Sequence, residues 1–247
     1  MLPQTNLQLY RLLIEQGASE ADLALTRTAY DLARQLFSNC YRPSHKPFVA
    51  HLVGVAGALA LWGEPIETVV AGMLHSAYLY GDYGDGQRGV TEMRRRKTRD
   101  RIGQRAEELI CGYTSATWTM LLEQLRAEVT AGEIDRTIVV IKLADLCDDC
   151  CDAGPQFSTG KPLEFGLPGD RDSRQPVLDL LATLAGAAAK AHFARLLAEN
   201  DAFIAPAVLQ SPDRSFHVVG RVDETYRSSM VRRFHRLAKR VRLMRAG

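Results

Sequence analysis

The sequence predicts an all-α fold, and three stretches carry that prediction. Residues 47–62 and 65–79 are apolar almost all round and are parted only by Gly63, Glu64 and Pro65. They read as two central helices joined by a short turn. Residues 20–37 set Leu23, Leu25, Ala29, Leu32 and Leu36 along one helical stripe. Residues 176–199 form a long run rich in Leu and Ala. One segment, FHVVG at 216–220, reads as a short strand, and no internal repeat is evident. The expected architecture is a helical bundle with a basic C-terminal helix.

The first helix covers 4–16, with Leu9, Leu12 and Leu13 on its apolar face. Gly17 and Ala18 end it, and Ser19 followed by Asp22 caps the next helix with an acidic third position. Asn39 to Pro47 is a loop whose last residue suits the first turn of the helix over 47–62. Residues 81–89, GDYGDGQRG, hold four glycines and cannot form a regular helix. The charged run MRRRKTRDR follows, and helix resumes at 102–112, at 117–130 and, past Gly132, at 133–151. Residues 153–175 contain Gly154, Pro155, Gly160, Pro162, Gly166, Pro168 and Gly169 and form the longest irregular stretch, a feature often tied to function. The last helix, 221–244, is amphipathic on Val231, Phe234, Ala238 and Val241, with eight Arg and Lys residues after Glu224.

Composition narrows the classes open to the chain. Its 247 residues suit one helical domain over 1–199 with an extension over 200–247. A net charge of +2 gives no global signal for nucleic acid or membrane surfaces. No secretory leader is evident and no run approaches the ~18 apolar residues of a membrane span, so no span is expected. Five cysteines, three of them at Cys147, Cys150 and Cys151, make a poor disulfide framework, and a cytoplasmic location is expected.

Chemistry gathers at three polar residues in apolar helices. His51 and His75 lie in two helices that pack as neighbours, and Asp145 follows the apolar run IVVIKLA. Two imidazoles and a carboxylate form an N/O metal site, or else each is satisfied separately within its helix; spacing leaves both readings open. His45, in the loop before His51, is a fourth ligand, an acid–base group or a helix cap. Residues 94–101 contain six basic side chains, including Arg94, Arg95 and Arg96, and read as a phosphate clamp or as a solvated face paired with Glu107 and Glu108. The cysteine cluster lacks a second ligand pair and reads as buried thiols. The basic C-terminal helix is expected to dock on the domain; contact with nucleic acid or an anionic membrane is the alternative. Phosphate loops of the Walker or dinucleotide type are missing.

Three motifs in order resemble the HD-domain superfamily of metal-dependent phosphohydrolases. They are YRPSHKPFVAHL at 41–52, VAGMLHS at 70–76 and IKLADLCDD at 141–149, with RIGQRAEELICGYT at 101–114 between the last two. The nearest pattern is the hydrolase domain of the bacterial alarmone synthetase/hydrolases, which remove pyrophosphate from the ribose 3' position of guanosine tetra- and pentaphosphate. The likeness covers about residues 25–152 and implies His51, His75 and Asp145 as metal ligands. It implies that Arg42 stacks on the nucleotide base, that Lys142 is the motif lysine, and that Asp149 stands where the family has an asparagine near the ribose. Manganese is the metal it implies first, with iron, zinc or magnesium used by other HD proteins.

The departures from that pattern are specific. Ser76 replaces the aspartate of the His-Asp pair, and Leu79 and Tyr80 replace a Glu-Asp couple that handles water. Asp82, Asp85 and His45 are the substitutes at hand. The resulting expectation is a metal-dependent phosphohydrolase acting on a nucleotide or other small phosphorylated compound, with Arg42 and residues 94–96 holding anionic groups and self-association left open. An HD-type iron oxygenase would hold two irons per chain. A sensing or protein-interaction module would bind a ligand without turnover.

Overall fold

The structure, a computed structural model, describes residues 1–118, 122–159, 165, 167, 169, 171–213 and 217–218. Among the described residues the regular structure is helical, apart from one two-stranded ribbon with two residues in each strand. Helix α1 (Asn6–Glu15) and α2 (Glu20–Leu36) each open on a capping box, Thr5 with Gln8 and Ser19 with Asp22. Strand β1 (Cys40–Tyr41) leads into the loop before α3 (Phe48–Leu61), which Pro47 precedes. The FHVVG segment contributes β2 (His217–Val218), antiparallel to β1 with Cys40 opposite Val218. The expected basic helix over 221–244 lies outside the described residues.

Where 65–79 reads as one helix, the structure forms α4 (Ile66–Leu74) and a short α5 (Ala77–Tyr80). The cause is a side chain. His75 Nδ1 donates to Gly72 O at 2.7 Å, so the imidazole takes the carbonyl that Ser76 N–H would meet in an unbroken helix. The charged run is also helical, as α6 (Glu92–Ile102), where the side chain of Thr91 accepts from Arg94 N at 3.3 Å. Gly103, at φ 84°, turns the chain directly into α7 (Gln104–Ser115). Helices α8 (Leu122–Ala131) and α9 (Arg136–Asp149) follow, with Asp135 capping α9.

The stretch expected to be irregular over 153–175 contains α10 (Gly154–Phe157) and the start of α11 (Arg171–Ala202), which breaks at Gly186. By length and composition alone, Arg174–Ala202 is long and apolar enough to cross a membrane, against the expectation that no stretch comes close. The same helix packs Val177, Leu181, Ala189, Phe193 and Leu197 into the protein core, with 33% of its most apolar window buried.

The core is built on α3. Every residue from His51 to Ala60 is buried, because α4 and α9 cover two of its sides while α1 and α2 close the rest. Helix α7 packs on both α4 and α9. A helix apolar all round is stable only when enclosed in this way. The enclosure brings the N-terminal half of α3, the C-terminal end of α4 and the last turns of α9 to one place.

Candidate metal centre

His51 stands in the first turn of α3, His75 at the C-terminal end of α4, and Asp145 two-thirds along α9. All three are buried, at 0%, 1% and 6% exposure. His51 Nε2 lies 3.2 Å and His75 Nε2 3.6 Å from Asp145 Oδ1. One ligand atom from each lies within 4.8 Å of the others. The helices therefore unite three residues that are far apart in sequence.

Hydrogen bonding fixes which atoms face inward. His75 Nδ1 meets a carbonyl, which can only accept, so the proton sits on Nδ1. His51 Nδ1 lies 2.7 Å from Asp148 Oδ2 and carries its proton for the same reason. Both Nε2 lone pairs then point into the space beside Asp145. On Asp145, Oδ2 accepts from Lys142 Nζ and Tyr113 OH, each at 2.8 Å. Oδ1 is buried and receives no hydrogen bond among the described residues. Arg42 Nη1, 3.4 Å from His51 Nε2, is the nearest donor at the rim.

The electrostatics act differently on the three residues. Burial pulls His75 down to about 4, so its ring is neutral at ordinary pH. Burial and then Arg42 pull His51 down, but the facing carboxylates of Asp145 and Asp148 outweigh them and raise it. Burial pushes Asp145 up, yet Lys142 and the two histidines hold it well below the usual carboxylate range. Asp148 is held at about 2 against its own burial, first by Lys46 and then by His51. The donor set fits a divalent cation, since three acceptors otherwise face one another without a shared donor.

Residues 34–117 match a family described as a domain of unknown function, DUF6817. That match includes both histidines and stops short of Asp145. A probable GTP pyrophosphokinase of Mycobacterium leprae is 29% identical over 173 residues, covering 67% of this chain and 19% of the relative. The chain resembles the alarmone synthetase/hydrolases. It spans about a fifth of the length of that curated relative. A solved structure, reported as a metazoan ortholog of SpoT that hydrolyses ppGpp, is 16% identical at a TM-score of 0.42 and covers 75% of this chain and 98% of its own.

Several positions singled out by the alarmone-hydrolase pattern sit at the cluster. Arg42 pairs with both oxygens of Asp149 and lies 5.8 Å from the Phe48 ring centroid. Lys142 is 4% exposed and also lies over the Trp118 ring at 5.7 Å. Ser76 is buried at the break between α4 and α5, Leu79 is half-buried, and Tyr80 packs edge-on against Phe48. His45 is exposed in a left-handed turn, its N–H donating to Arg42 O at 2.9 Å. Asp82 is exposed and accepts from Gly84 N at 2.8 Å.

The glycine loop and α6 contribute differently from expectation. Arg94 is fully buried, pairs with Asp85 through two nitrogens, and donates to the carbonyls of Gly89 and Gln87. Its guanidinium is saturated within the loop and offers no face to a phosphate, and Asp85 is committed with it. Arg95 donates to both oxygens of buried Glu107, at 2.8 and 2.9 Å. Arg96 is exposed on the outer side of α6. Cys147, Cys150 and Cys151 are free, buried thiols, with burial pushing Cys151 up to about 12.

Four residues at the cluster were not singled out from sequence: Asp148, Lys46, Tyr113 and Gln4. Asp148 had a signal, as a second carboxylate three residues after Asp145 on the same enclosed helix. Gln4 had none, because its contact with Asp148 spans 144 residues.

Proposed function

We propose that this chain is an HD-type, metal-dependent phosphohydrolase acting on a nucleotide or other small phosphorylated compound. The observation that carries the reading is the convergence of His51 Nε2 and His75 Nε2 on Asp145 Oδ1, which receives no hydrogen bond among the described residues. His51, His75 and Asp145 would hold the ion, with manganese the first expectation and iron, zinc or magnesium compatible with an N/O set. Such an ion supplies Lewis acidity that polarises a phosphoryl oxygen and makes water a better nucleophile.

The protein's own groups do the rest. The Nδ1 protons of His51 and His75 keep their Nε2 atoms turned inward, and Lys142 with Tyr113 holds Asp145 in place. Arg42, at the rim, exchanges Asp149 for an anionic ligand group, which a guanidinium fork matches. Asp149, once released, is placed to accept a ligand hydroxyl. Proton transfer falls to His45 or Asp82, since Asp85 is committed to Arg94.

Charge sharpens this proposal. Asp145 faces Lys142, Asp148 faces Lys46 and Asp149 faces Arg42, so three carboxylates already meet three cations. A divalent ion makes this buried cluster net positive, and a phosphate group offsets it. Mn2+ binding is therefore expected to tighten in the presence of inorganic phosphate. The test is Mn2+ titration of chelator-treated protein with and without phosphate, beside assays for phosphate or pyrophosphate release from nucleotides. One ion per chain, lost in His51→Ala, with measurable release, supports the reading. Full metal content in His51→Ala defeats it.

A second reading is favoured by Ser76, Leu79 and Tyr80, which bring no carboxylate to the second motif. It is a sensing module on the same site. Ion and nucleotide binding without any release of phosphate would select it.

A further inference from the structure

We propose that Asp148 is a positioning residue that locks His51 in the Nδ1–H tautomer, acting through a buried relay with Lys46 and Gln4. The inference deepens the metal-centre reading, but its first measurement needs no metal.

Asp148 is wholly buried on α9, and every acceptor position on it is used. Oδ2 takes His51 Nδ1 at 2.7 Å and Lys46 Nζ at 2.8 Å. Oδ1 takes Lys46 Nζ at 2.8 Å and Gln4 Nε2 at 3.0 Å. Four separate segments meet here: the N-terminus, the loop before α3, α3 itself and α9. Room for the carboxylate comes from Gly54, one turn beyond His51, where a Cβ would lie 1.7 Å from Asp148 Oδ1. The arrangement is built around the carboxylate.

The chemistry follows from donors and acceptors. A carboxylate only accepts, so it forces the proton of neutral His51 onto Nδ1 and leaves Nε2 open toward His75 and Asp145. Lys46 and Gln4 only donate toward it, which keeps Asp148 ionised and pins its rotation. A carboxylate behind a ligand imidazole also raises the basicity of the ligating nitrogen. Asp148→Asn reverses the pattern. Lys46 and Gln4 hold the amide oxygen on the Oδ1 side, so the amide NH2 faces His51 Nδ1. That nitrogen must then accept, and the proton moves to Nε2, where it blocks a metal.

The experiment reads the ring nitrogens of His51 by 15N NMR in chelator-treated protein, at a pH above the ring's own titration. The wild type is expected to show a protonated Nδ1 and a bare Nε2, and Asp148→Asn the reverse. Zn2+, a diamagnetic probe ion, should bind Asp148→Asn more weakly by about 10–100-fold. A folded Asp148→Asn with the wild-type ring pattern and unchanged Zn2+ affinity overturns the proposal while leaving the metal centre standing. Reversed tautomers in a chain that binds no Zn2+ support the proposal and defeat the metal centre instead. If Asp148→Asn does not fold, the wild-type spectrum decides: a proton on Nε2 with Nδ1 bare overturns the claim, and a proton on Nδ1 upholds it.

Discussion

Two buried polar clusters lie within this bundle, and they differ in one respect. Around α6 and α7, Glu107 takes both donors of Arg95 and the hydroxyl of Tyr78, and Asp85 takes two nitrogens of Arg94 and the N–H of Gln87. Both carboxylates there are saturated by protein. At the meeting of α3, α4 and α9, the outer atoms are saturated in the same way, but two Nε2 lone pairs and Asp145 Oδ1 are left facing each other. Burial and ion pairing are common to both. Among the described residues, a buried carboxylate oxygen without a donor belongs to one alone, and that is the mark of a cation site as opposed to a structural clasp.

The comparison breaks most visibly at Asp145. Asp145→Ala removes a ligand and breaks a buried ion pair with Lys142, so a loss of ~3–5 kcal/mol is expected along with the bound metal. Chemical unfolding with and without chelator checks both; retained metal would place Asp145 outside the site.

Glu107→Gln gives the matching case in the other cluster. It leaves Arg95 and Tyr78 imperfectly paired, at a cost of ~2–3 kcal/mol, with metal stoichiometry unchanged. The Glu107 pKa is lowered: burial opposes this, and the Arg95 and Tyr78 hydrogen bonds outweigh it. A depressed carboxylate contributes stability that is present above its unfolded pKa and lost as pH falls through its folded pKa. Glu107→Gln should therefore flatten the acid limb of the stability curve. Metal loss in this variant would join the two clusters and undo the distinction.

His75→Ala separates ligand from scaffold. It is expected to weaken Mn2+ binding by more than ~100-fold, beyond the loss typical of groups behind the ligands. Melting temperature in chelator should fall less than for Asp145→Ala, since the His75 side chain hydrogen-bonds a backbone carbonyl and breaks no pair with a buried cation. Ser76→Asp carries the smallest effect: it restores a carboxylate beside His75 and should tighten Mn2+ by on the order of tenfold, ~1.4 kcal/mol. An unchanged titration would show that Ser76 does not face the ion.

Sequence and tertiary structure contributed different parts of this picture. Hydrophobic periodicity and caps are local, so α1, α2, α3 and α9 could be read from the chain within a few residues. Motif order likewise singled out His51, His75 and Asp145, because a charged or polar group inside an apolar helix is conspicuous wherever it falls. The break after Leu74 was not legible, since it depends on His75 Nδ1 capturing Gly72 O in preference to the backbone. Nor was the inward turn of Arg94, which its charge alone would place in water. The closing of Asp148 by Gln4 and Lys46, and the opening left at Asp145 Oδ1, arise only when segments far apart in sequence pack together. Composition determines which groups must find partners; packing alone decides which of them are left without one.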